Sequence, residues 1–112
     1  MDQQSAINAV REYADIVKAH LPVVEVILFG SYARGDQRED SDIDVAVVVE
    51  RLEEDFLASS ALLQRLIRDI DLRIEPILLV AEDDPSGFLA HIEATGITVY
   101  SARSAVSAGT ST

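Results

Sequence analysis

Two aspartates, Asp42 and Asp44, open the apolar run Asp42-Ile43-Asp44-Val45-Ala46-Val47-Val48-Val49. In a strand, positions i and i+2 share a face, so both carboxylates point the same way. Carboxylates side by side repel each other unless a cation lies between them. Hard oxygen ligands in that number suit Mg²⁺, which is usually held by one or two carboxylates plus substrate phosphates. Upstream, with ten residues between, stands Gly30-Ser31, directly after the β-branched run Val23 to Phe29. Glycine lets backbone approach a ligand closely. A helical turn starting at Ser31 would aim free N–H groups outward, and the Ser31 hydroxyl adds a donor. Taken singly, Gly-Ser is a common turn and Asp-x-Asp a common solvated strand end. Together they amount to a phosphate cradle beside a cation-binding acidic pair.

The elements that must position these groups are legible in outline. Ile7, Val10, Ala14, Val17 and Leu21 recur at helical spacing, which predicts a helix over 5–20 stopped by Pro22. Val23 to Phe29 reads as a buried strand, and Asp42 to Val49 as a second. Glu53, Glu54 and Asp55 open a helix whose buried face is Phe56, Leu63, Ile67 and Ile70. Leu72 to Val80 is a third strand. Asp84-Pro85 predicts a helix start, with Asp84 as N-cap and proline at the first helical position. Gly96 is its expected C-cap, and Ile97 to Tyr100 a last short strand. The order α-β-turn-β-α-β-α-β predicts an α/β (α+β) fold, one mixed sheet of about four strands with helices packed on it. Residues 1–100 read as a single domain, and the Ala, Ser, Gly and Thr of 101–112 as a flexible tail.

Composition excludes several classes. At 112 residues the chain suffices for one domain with a real core. It has no cysteine, so no disulfide framework, thiolate metal site or cysteine nucleophile. No secretory signal or membrane-length apolar run is visible, so a cytoplasmic protein with no membrane association is expected. Nine basic residues against twenty acidic ones give −11, which argues against direct nucleic-acid binding and suits a basic partner. Phosphate ligands must then be held by metal ions, backbone amides or a few arginines. His20 and His91 have no second ligand at metal spacing and read as surface or packing residues, as does Tyr32. Tyr13 and Tyr100 carry no signal.

Gly-Ser, ten residues, then Asp-x-Asp resembles the signature of the DNA polymerase β-type nucleotidyltransferase superfamily, complete at Gly30, Ser31, Asp42 and Asp44. Ala33-Arg34-Gly35 and Ser41 are similar to its usual fillings, and the short chain resembles its minimal nucleotidyltransferase branch. The resemblance covers about residues 23–100. It implies Mg²⁺, as two ions, at Asp42 and Asp44, ATP as substrate with its phosphates at Gly30 and Ser31, and Arg34 and Arg38 as candidates to neutralise the triphosphate. For Arg38 an ion pair with Asp36, Glu39 or Asp40 competes with that role. A third carboxylate comes from the next strand in such proteins. Asp71 and Glu75 have the same parity, so alternation does not choose. Glu75, within Ile-Glu-Pro, is favoured as a carboxylate deep in an apolar strand, although aspartate is usual there. Pro76 removes a ladder donor and implies an edge or a bulge.

The resemblance further implies transfer of NMP to a hydroxyl. Minimal members are typically paired with a HEPN-type RNase toxin, the nucleotidyltransferase serving as antitoxin by adenylylating a toxin tyrosine. Two other readings stand beside it. One is neutralisation of a partner by binding alone. The other is transfer to a small, aminoglycoside-like molecule.

Overall fold

The computed structural model describes residues 1–102. The element order is α1 (Gln3–Val17), β1 (Val23–Phe29), α2 (Ser31–Arg34), β2 (Ile43–Val49), α3 (Phe56–Leu66), a 3₁₀ turn (Ile67–Asp69), β3 (Ile74–Val80), α4 (Phe88–Thr95) and β4 (Ile97–Ser101). The strands form one sheet in the order β3-β2-β1-β4. β1 runs antiparallel to both β2 and β4, and β2 runs parallel to β3. The expected mixed four-stranded α+β fold is therefore present. Of the stretch read as a tail, Ser101 closes β4, and residues 103–112 lie outside the described residues.

Alternation along the strands divides the core in two. Val26, Leu28, Val45, Val47, Ile74 and Leu78 face α1 and α3. Ile27, Ala46 and Val48 face α4, meeting Leu89 and Ile92. β2 is buried on both faces, which is why its sequence is apolar at every position after Asp44. β3 lies at an edge of the sheet. Pro76 sits there without costing a ladder hydrogen bond, because Arg73 turns its carbonyl inward to Ile43 N–H (2.9 Å) and residues of Pro76's parity face outward.

Several local expectations need correction. α1 begins earlier, at Gln3, because the Asp2 side chain caps Ser5 N–H at 2.7 Å. It ends at Val17, well before Pro22; of the expected face Val10, Ala14 and Val17 are buried, Ile7 and Leu21 only partly, and Ala6 and Tyr13 complete it. Phe56, the first residue of α3, is 49% exposed, and that helix buries Ser59 and Leu63 instead. Leu72 precedes β3 and is exposed. α4 begins at Phe88, with Gly87 at the N-cap position, and not at Pro85. Asp84 still satisfies that helix's free donors from outside, accepting from Leu89 N–H (2.9 Å) and Ala90 N–H (3.0 Å). Those bonds hold its carboxyl below the usual carboxylate range. Gly96 has an extended backbone, not a left-handed one. It is small for lack of room: a side-chain carbon there would come within 2.7 Å of Ile27 Cγ2 and 2.8 Å of the Leu28 carbonyl.

Tyr13 gave no signal in the sequence, yet it is wholly buried and its hydroxyl donates to the Leu63 carbonyl at 2.8 Å. Burial pushes its phenol well above the ordinary range. This bond ties α1 to α3 beneath the sheet. Tyr13→Phe is expected to destabilise the fold by about 1 kcal/mol, read as a lower urea midpoint with an unchanged slope. No change in midpoint would remove the bond from the account of stability.

Candidate active site

The site is built at one end of the sheet, where β1 finishes and β2 and β3 begin. In the β1–β2 register Phe29 is opposite Asp44, and in the β2–β3 register Asp44 is beside Glu75. A row Phe29, Asp44, Glu75 thus crosses three strands, spanning about 10 Å at ordinary strand spacing. Asp44 and Glu75 share the parity of Ala46, Val48, Ile77 and Leu79, which places them on the α4 face of the sheet. α4 packs chiefly over β1 and leaves this end of β2 and β3 open. Asp42, just before β2, and Glu75 are exposed, while Asp44 is half-buried.

Gly30 makes this arrangement possible. Its φ of 76° and ψ of −150° belong to a region essentially reserved for glycine. A side-chain carbon on it would overlap Asp44 Oδ2. The chain turns there into the short helix α2, whose first N–H groups have no intrahelical acceptor. Gly30 accepts from Ala33 and Arg34 N–H at 3.1 Å each. Tyr32 is fully buried and anchors the turn from below, more deeply than its sequence context suggests. Gln3, unremarked in the sequence, donates from Nε2 to the Tyr32 carbonyl at 2.8 Å and so clamps α2 to α1. No local motif could have shown this pairing across 29 positions of sequence.

Electrostatics mark Asp44 as the strained member. Its carboxyl is pushed above the ordinary range, first by burial, then by the negative charges of Asp42 and Glu75, with Arg34 pulling the other way. Arg34 donates from Nε to Asp36 Oδ2 at 3.2 Å, with both side chains largely exposed. Arg38 contributes its backbone N–H to Ser41 Oγ at 2.8 Å. Asp71 is differently placed from Glu75. It lies before β3, and its carboxylate accepts from Arg73 N–H (2.9 Å), Nε (3.0 Å) and Nη2 (2.8 Å), which hold it below its usual range. Glu75 is exposed on the edge strand rather than deep in apolar surroundings, because the open end of the sheet leaves that position uncovered.

Among the described residues no group of three or more His, Asp or Glu side chains closes around one point. Mg²⁺ requires less, since water and phosphate oxygens complete its octahedron around one or two carboxylates. The donor set fits such an ion: Asp42 and Asp44 are all-oxygen ligands, and the excess negative charge felt at Asp44 is what a cation would relieve. On the α4 side of Gly30 lies a cavity of about 420 Å³, walled by Phe29, Ala33, Arg34, Phe88, His91 and Thr95. His91 was read from the sequence as a bland residue, and the helix brings it to this wall.

Comparison with known proteins agrees with this geometry. A family model described as a nucleotidyltransferase domain matches residues 10–96. A candidate protein adenylyltransferase of Methanocaldococcus jannaschii is 36% identical over 78 residues, 66% of this chain and 76% of that relative. Another from the same organism is 45% identical over 43 residues, 37% of this chain but 43% of the relative, so the chain matches less than half of that relative's length. Among solved structures, a nucleotidyltransferase-like protein from Sulfolobus solfataricus superposes with a TM-score of 0.66 at 24% identity, covering 90% of this chain and 85% of that one. A toxin–antitoxin structure with AMP-PNP superposes with a TM-score of 0.57 at 22% identity, over 93% of this chain and 77% of that one. These two share the fold.

Two outcomes follow from the geometry. Gly30→Ala is expected to cost about 1–3 kcal/mol from its backbone angles alone, with Asp44 displaced in addition, as chemical denaturation would show. A raised folded-state value at Asp44 means that ionisation penalises the folded chain above that value, and the penalty is relieved as pH falls through it. Asp44→Asn should therefore raise Tm in metal-free buffer at neutral pH, with the gain shrinking on acidification. An unchanged or lower Tm at neutral pH would contradict the repulsion.

Proposed function

Because the chain belongs to the nucleotidyltransferase domain family, we propose that it transfers AMP from ATP to a hydroxyl of a partner protein. The observation that carries this reading is the row of carboxylates in strand register beside a turn that only glycine can make. Asp42 and Asp44 hold Mg²⁺, with Glu75 completing the acidic group. When bound, the metal stabilises charge on the attacking and leaving oxygens of an in-line displacement.

The chain's own residues do the rest. The N–H groups at Gly30-Ser31 and the Ser31 hydroxyl hold the β- and γ-phosphates. Arg34 leaves its exposed pairing with Asp36 for the triphosphate, an exchange that costs little because surface ion pairs are weak. Glu75 accepts the proton of the incoming hydroxyl. That oxygen bonds to the α-phosphorus, the bond from the α-phosphorus to the bridging oxygen breaks, and pyrophosphate departs on the Ser31 side.

For the acceptor, we favour a tyrosine of a HEPN-type RNase toxin, with this protein as antitoxin. Support comes from relatives named as candidate protein adenylyltransferases and from the toxin–antitoxin structures that share the fold. The net charge of −11 suits a basic, RNA-cleaving partner.

The test uses Mg²⁺, ATP labelled on the α-phosphate, and the protein encoded beside this one. Label should appear on that protein and fall by about 100-fold or more with Asp42→Asn or Asp44→Asn, the scale expected for losing a preorganised charged group. A stable complex that carries no label would favour neutralisation by binding alone. Full activity in both variants would sink the assignment of the acidic pair.

A further inference from the structure

We propose that a second cavity, between the end of α1 and the start of α3, receives an arginine side chain of the partner protein and so docks that protein at the end of the sheet opposite the carboxylates. This rests on the reading that the chain acts on a protein, and it names the surface that holds that protein. The cavity has about 320 Å³, room for one long side chain, and is walled by His20, Leu21, Glu53, Glu54, Ser59 and Leu62. Leu21 and Leu62 offer apolar surface to the stem of such a side chain. The polar groups offer acceptors to its head. His20 Nδ1 donates to the Ile16 carbonyl at 3.0 Å, which leaves Nε2 of the neutral ring with a lone pair. Ser59 is only 3% exposed, yet it lines the cavity. Its backbone N–H is spent on the Asp55 carbonyl at 3.1 Å, and its hydroxyl has no hydrogen-bond partner among the described residues. Glu54 has no ion-pair partner among the described residues, and Glu53 holds only the chain's own Arg51, at 3.8 Å on the exposed surface. The start of α3 does not claim an anion here, because the Asp55 carboxylate accepts from Ala58 N–H at 2.7 Å. Two carboxylates, an imidazole lone pair and a hydroxyl, with no cation on the wall, call for a donor-rich cation. A guanidinium, with five N–H groups and a planar fork, supplies it.

The surroundings identify the source as a protein. Glu53 and Glu54 are flanked in sequence by Leu52, Phe56 and Leu57, which are 39%, 49% and 79% exposed. A free organic cation has no use for three large apolar side chains left out of the core within six residues. A protein interface does, since its centre is apolar and arginine is enriched in it. A second copy of this chain is a poor occupant, because two chains of −11 repel each other. The same charge attracts a basic partner. Strand β2 runs from the acidic pair to this end of the sheet, so the docking cavity lies about 20 Å along it from Asp44. A partner gripped here leaves the carboxylates clear for nucleotide and acceptor hydroxyl.

The experiment titrates the whole chain calorimetrically with the protein encoded beside it, and follows label transfer from Mg²⁺–ATP to that protein. Combining Glu53→Gln with Glu54→Gln should weaken the complex at least about 10-fold, the scale of removing the charged partners of an interfacial pair. Leu57→Ser should weaken it several-fold. Glu12→Gln with Glu82→Gln removes the same charge from exposed positions elsewhere and should leave affinity within about two-fold. In the transfer assay the Glu53→Gln/Glu54→Gln variant should show a raised KM for the partner, with kcat and Mg²⁺–ATP affinity unchanged. Among single Arg→Ala variants of the partner, one should lose as much affinity and show no further loss when combined with Glu53→Gln/Glu54→Gln. Wild-type affinity in that chain variant, equal loss in the Glu12→Gln/Glu82→Gln control, no coupled arginine on the partner, or no wild-type complex would each overturn the docking site. A complex that weakens as expected but never takes label would overturn the transfer reading and leave the docking site standing.

Discussion

The site depends on keeping one carboxylate where its neighbours oppose it. Asp44 lies between Asp42 and Glu75, is half-buried, and has its carboxyl pushed above the ordinary range. Arg34 offsets this only in part. The position is imposed by β2, whose remaining residues are buried on both faces and cannot shift register without exposing the core. The hydrophobic strand thus holds the electrostatic strain at its polar end. Gly30 is the complement to this constraint, since the Asp44 carboxylate stands where any other residue would have its Cβ.

The two faces of the sheet share the work unequally. The α1–α3 face is closed, with Tyr13 and Tyr32 buried in it and the Tyr13–Leu63 bond crossing between helices. It also holds the turn after β1 from behind, through Tyr32 and the reach of Gln3 to the Tyr32 carbonyl. The α4 face is only partly covered, because α4 is short and packs over β1. Rigidity and access therefore come from opposite sides of one layer. A precise turn can be exposed to a ligand because its support lies on the face the ligand never meets.

Much of this could be read from the residues. β-Branched runs located β1 and β2 within a residue, although β2 starts at Ile43, so alternation reaches Asp44 and not Asp42. Gly30-Ser31 was legible only through its conjunction with Asp42 and Asp44, since alone it reads as a common turn. What escaped was whatever depends on partners distant in sequence. Parity could not separate Asp71 from Glu75, because the difference lies in where β3 starts and in Arg73, which occupies Asp71. The start of α4 was misplaced because Asp84 caps it across a turn instead of from the N-cap position. Tyr13, Gln3 and His91 carry no local pattern; packing alone gives them a role. The exposure of Glu75 was misjudged because an apolar neighbourhood in sequence is not a buried one when the strand is at an edge.

That edge has a bearing on self-association. An unpaired strand rim invites a second sheet to extend it, and the rim of β3 runs directly past the open acidic end. Pro76, one residue beyond Glu75, offers no outward N–H, so an intruding strand would meet a gap in its ladder at that point. The negative charge of Glu75 beside it repels a second copy of the same acidic chain. The chain can leave this margin of the sheet uncovered for a visitor that comes for the carboxylates while denying it to copies of itself that would stack into aggregates.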